Sequence, residues 1–76
     1  MEENKLTFGQ KEVGLSFNPS GNDNVTKIKT LYAEIIDLLN DERGERRDNG
    51  ARHLSTAMTD ALRAQMMAVK GLTWED

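Results

Sequence analysis

The stretch FNPSGNDNVTKIK gathers three groups suited to a phosphorylated, ring-bearing ligand. Phe17 offers a flat π-face, on which a nucleobase stacks for roughly 1–3 kcal/mol. Asn18-Pro19-Ser20-Gly21 forms a turn into a helix start, where unpaired N–H groups and a partial positive charge suit a phosphate. Asn18, Ser20 and Asn22 add side-chain hydrogen-bonding groups at that point. Lys29 emerges one turn in, at the edge of the apolar arc, where its ammonium is expected to reach an interface without being buried. Charge-assisted hydrogen bonds contribute about 1.5–3 kcal/mol each, so two stacked bases and two phosphates give on the order of 5–12 kcal/mol before ordering costs. The same residues carry a second reading, in which Phe17 is a hydrophobic staple against the helix and Lys29 a surface lysine. From the residues alone both readings stand.

A second cluster lies in LRAQMMAVKGLTW. Met66 borders the apolar face and is expected in the core, whereas Met67 points nearly opposite, next to Arg63 and one turn from Lys70. A polarizable side chain between two cations suits a partner subunit or a flat ligand, or is a scattered surface methionine. Catalytic chemistry has little to work with. His53 is the one histidine and cysteine is absent, so neither a Cys-His pair nor a multi-histidine metal site can form within the chain. Glu34, Asp37 and Asp41 read as a solvated acidic face. Arg43, Arg46, Arg47 and Arg52 alternate with Asp41, Glu42, Glu45 and Asp48, a balanced soluble loop. A net charge of -3 argues against a DNA or RNA polymer as partner, since such binding needs a basic surface. The sequence lacks a secretory pattern and an apolar run of the roughly 20 residues that span a membrane, so no membrane partner and a cytoplasmic location are expected.

The elements that must position these groups follow from periodicity. Residues 1–21, with Gly9, Gly14, Gly21 and Pro19, read as an irregular arm in which Leu6 and Phe8, then Val13, Leu15 and Phe17, alternate as in short extended segments. Apolar residues recur at steps of three and four from Val25 to Leu39, predicting a first long helix over 22–41. The stripe fills an arc of roughly 160°, wider than one neighbour requires. A charged loop over 42–50 precedes a second long helix over 51–72, with Leu54, Met58, Ala61, Leu62, Gln65, Val69 and Leu72 on one face. The expected fold is a single all-α domain over 1–76, an antiparallel helical hairpin with an irregular N-terminal arm. Below roughly 70–80 residues one core supplies little stability, and with no cysteine to staple it a chain of 76 residues is expected to self-associate.

These residues also resemble a family of small phage proteins, the anti-CBASS cyclic-oligonucleotide sponges, whose helical hairpin is shared with Thoeris anti-defence proteins. The likeness runs along VGLSFNPSGN and VTKIKTLYAEIIDLLND and resumes at LRAQMMAVKGLTW. It rests on an aromatic before the first long helix, an Ile-Lys pair one turn into it, and a Met-aromatic-x-Val-Lys/Arg run in the second helix. Phe17 stands where tyrosine is usual and Met67 where tryptophan is common. The resemblance implies a homohexamer with cyclic-dinucleotide pockets between protomers, acting in the cytoplasm of the infected bacterial host without enzymatic activity or cofactor. In it Phe17 stacks a base and Lys29 pairs with a phosphate. Lys70 takes the basic position of a second, cyclic-trinucleotide site, with Arg63 and Met67 beside it. The alternative is a structural or regulatory protein-binding hairpin that docks through the Met67 surface.

Overall fold

A computed structural model describes residues 5–75, which form α1 (Phe8–Val13), α2 (Asp23–Arg43) and α3 (Asn49–Leu72). All regular structure among the described residues is helical, and α2 and α3 make the hairpin. Asn22 caps α2, its side-chain oxygen accepting from the Asn24 N–H at 2.8 Å, and Asp48 caps α3 through the Ala51 N–H at 3.2 Å. Both caps satisfy amides that a helix leaves unpaired. Arg43 ties the two helices together beside the loop that connects them, donating to Asn40 Oδ1 at 2.8 Å and to Ser55 Oγ at 3.0 Å.

The arm before α2 departs from the irregular, partly extended segment expected of it, because residues Phe8–Val13 are a helix. Thr7 and Gln10 form a reciprocal capping box: Thr7 Oγ1 accepts from the Gln10 N–H at 3.1 Å and Gln10 Oε1 accepts from the Thr7 N–H at 2.9 Å. Gly14 then stops the helix at φ 64, a left-handed conformation open to glycine at little cost, and the Leu15 N–H returns to the Gln10 carbonyl at 3.0 Å. The alternation of Val13, Leu15 and Phe17 had suggested extended chain. In the fold Val13 and Leu15 join the core on either side of this turn while Phe17 stays outside.

Gly9 explains how α1 can lie so close to α2. A Cβ there would fall inside contact distance of the Ala33 carbonyl oxygen. Its amide donates to Asp37 Oδ1 at 2.6 Å, so Asp37, expected on a solvated acidic face, receives the N-terminal end of α1. The core beneath is small: Val13, Ala33, Ile36 and Met58, with Leu15, Tyr32, Leu39, Ala61 and Leu62 packed around it. The Cα trace spans 44 × 37 × 12 Å, a plate that leaves one side of α2 bare. Leu31, Ile35 and Leu38 are 58%, 49% and 61% exposed, so the wide apolar arc is divided between an inner face and an uncovered outer one.

Candidate functional site

The turn after α1 brings Phe17 back against α2, and the residue that holds it there is Lys29. Val25, Lys29, Ala33 and Ile36 share the inward stripe of α2 and all are buried. Lys29 is therefore not at the edge of the apolar arc. It is only 5% exposed, and its ammonium donates to the Gly14 carbonyl at 3.0 Å and the Phe17 carbonyl at 2.5 Å. Gly14 O also accepts the Phe17 N–H at 2.9 Å, so the turn is closed by backbone and lysine together. The ammonium lies 5.7 Å from the centroid of the Phe17 ring, within range of a cation–π attraction. Phe17 itself is 70% exposed, which is inconsistent with a staple buried against the helix.

Phe17, Asn18, Pro19, Ser20, Val25 and Lys29 line a cleft of about 250 Å³ that is closed on its far side by Val69 of α3 and by Thr73, which caps that helix. Of the residues expected at the site, Phe17, Asn18, Ser20 and Lys29 thus meet at one place, and Asn22 sits next to them as the helix cap. Their polar groups are largely engaged with one another. Asn18 Nδ2 donates to the Asn22 carbonyl at 3.0 Å and to Thr26 Oγ1 at 3.1 Å; Ser20 Oγ donates to Asn18 Oδ1 at 2.7 Å and accepts from the Asn22 N–H at 3.1 Å. This lattice fixes the turn more than it offers donors. The exposed phenyl ring and the lysine charge are what the cleft presents. Val69 and Thr73 were outside the expected set, since only the pairing of α3 with α2 brings them there.

Arg63, Met67 and Lys70 also meet, around a shallower depression of about 290 Å³ on the outer face of α3. Met66 joins them and is 54% exposed, so it does not pack in the core as expected. The backbone rotation of one residue past Gln65 carries it out of the interface with α2. Arg63 leans on Asp60 at 3.5 Å, and the Lys70 ammonium lies 5.8 Å from the Trp74 ring centroid. His53 is exposed. No grouping of three or more His, Asp or Glu side chains able to hold a metal occurs among the described residues. No helix there is long and apolar enough to cross a membrane.

Against known proteins, the family model described as Acb2/Tad1, hairpin domain, matches residues 10–73, from within α1 to the end of α3. No curated protein and no solved structure matches the chain.

Proposed function

Because the chain belongs to the Acb2/Tad1 hairpin-domain family, the anti-CBASS and anti-Thoeris sponges, we propose that it sequesters cyclic dinucleotides of the 3′,3′-cyclic GMP–AMP type, blocking CBASS signalling without cleaving them. One observation carries the reading. Lys29 is a buried cation with no carboxylate partner among the described residues, set under an exposed aromatic ring at the floor of a cleft. Two carbonyls use two of its three N–H groups and leave its charge uncompensated. A buried charge without a counter-ion is costly, and a phosphate entering the cleft supplies one. Phe17 stacks the attached base, and the Asn18-Ser20-Asn22 turn borders the sugar-phosphate.

A cyclic dinucleotide carries two phosphates and two bases, whereas each chain supplies one Lys29 and one Phe17. Two copies therefore complete a pocket, which fits a homohexamer with sites between protomers. The uncovered stripe of Leu31, Ile35 and Leu38 is the surface such an assembly would close. The Arg63, Met67 and Lys70 depression is the second site, for cyclic trinucleotides. The place of action is the cytoplasm of the infected bacterium. The alternative, a hairpin that docks another protein, draws on the same apolar stripe and on exposed Met66 and Met67.

Titration with 3′,3′-cyclic GMP–AMP in a calorimeter, followed by denaturation and recovery of the ligand, separates these readings. Bound and intact ligand supports the sponge. Cleaved ligand means an enzyme, and no binding refutes the cyclic-dinucleotide reading in favour of the docking hairpin.

A further inference from the structure

A second and wider cleft of about 440 Å³, which shares Phe17, Lys29 and Val69 with the first, opens between α1 and α3. Its lining includes Gln65, which is 3% exposed and whose side-chain carboxamide has no hydrogen-bond partner among the described residues. A carboxamide carries two N–H donors and an oxygen with two lone pairs, and buried polar side chains are nearly always paired. An orphaned one at the floor of a cleft is a site awaiting a partner. One water would occupy roughly 30 Å³, a small part of the space. The walls join apolar groups suited to a flat ring, Phe17, Leu62, Met66 and Val69, to the charged Lys11 and Glu12 on the α1 side, while Lys29 lines this cleft as well as the first.

We infer that Gln65 reads the base: this cleft takes the edge of a nucleobase, and the Gln65 carboxamide pairs with it while Lys29 holds the adjoining phosphate. The inference rests on the cyclic-dinucleotide reading above and adds base selectivity to it. Gln65 presents a donor beside an acceptor. On the Hoogsteen edge adenine offers the matching pair at N6 and N7, whereas guanine offers two acceptors at O6 and N7 and matches a carboxamide only on its Watson–Crick edge, through O6 and N1–H. Unstacked bases are read in this way, by stacking on one face and hydrogen bonding along an edge. With the Hoogsteen edge as the one that enters, the site favours adenine-containing rings.

The test uses the full chain and its Gln65→Met variant, titrated with cyclic di-AMP, 3′,3′-cyclic GMP–AMP and cyclic di-GMP. Methionine keeps the length of the side chain and leaves no polar group unpaired, so the variant should fold with a melting temperature equal to or above that of the parent. Its affinity for cyclic di-AMP should fall about tenfold or more, and the ratio of affinities for cyclic di-AMP and cyclic di-GMP should shrink toward one. Losses that are equal for all three ligands, or absent, overturn the role of Gln65 while the sponge reading stands. Failure of the variant to fold overturns it as well, because a carboxamide without a protein partner cannot be needed for folding. A parent protein that binds none of the three ligands overturns both.

Discussion

Replacing Lys29 by alanine tests whether one side chain both shapes the cleft and supplies its charge. The substitution deletes three buried methylene groups, at about 0.8 kcal/mol each. It also removes two charge-assisted hydrogen bonds, to Gly14 O and Phe17 O, worth about 1.5–3 kcal/mol each. Against this, alanine no longer carries the desolvation cost of a buried ammonium, which is several kcal/mol. The net loss expected is about 2–4 kcal/mol, equivalent for a domain of this size to a fall in melting temperature of roughly 10–30 °C. Melting is measured at one protein concentration, since an assembling protein melts higher when concentrated. Hydrogen exchange locates the damage: the amides of Leu15 and Phe17 should lose protection before those of α2 and α3. Lys29→Met, which keeps the stem and loses the charge, should recover part of the stability but none of the binding of 3′,3′-cyclic GMP–AMP. An alanine variant that melts within a degree of the parent, with the turn amides still protected, would refute the clamp. A methionine variant that binds as the parent does would remove the ammonium from the site.

Substitutions at three further positions probe separate parts of the fold. Gly9→Ala pushes a methyl group into the Ala33 carbonyl and strains the Gly9–Asp37 hydrogen bond, so thermal denaturation should show a loss of about 1–3 kcal/mol, and an unchanged melt would mean that α1 does not pack this closely. Phe17→Ala should weaken cyclic-dinucleotide binding about tenfold by calorimetry with little effect on melting, because the ring is 70% exposed, whereas Phe17→Tyr should be tolerated; a tyrosine variant that cannot bind would count against stacking. Ile35→Glu places a charge in the middle of the bare stripe of α2, and light scattering should show a smaller particle than the parent; an unchanged mass would exclude this face from the assembly.

Much of the candidate site was legible before the fold was known, though the part each residue plays was not. Phe17, Asn18, Ser20 and Lys29 do line one cleft, because they are close in sequence and one turn brings them together. The position of Lys29 was misread. Polar type suggested an edge position, although its spacing from Val25 and Ala33, four residues either way, puts it on the inward stripe. Helix α1 was missed for a similar reason. Three glycines, the proline and an alternating pattern argue for an irregular arm, the Thr7–Gln10 capping signature was not weighed against them, and what makes Gly9 compatible with that helix is the backbone of α2 behind it.

Taken alone, the sequence determined the two long helices, through a three-to-four residue period of apolar side chains that only a helix can gather on one face. It also determined a surplus of apolar surface and a shortage of catalytic groups, both matters of composition. Only the tertiary structure decided that Asp37 receives the start of α1, that Val69 and Thr73 close the cleft, and that Gln65 is buried without a partner. The physical reason is that burial and hydrogen bonding at these positions depend on groups contributed by another helix. Local patterns record which way a side chain faces along its own helix, and they carry no record of what stands opposite.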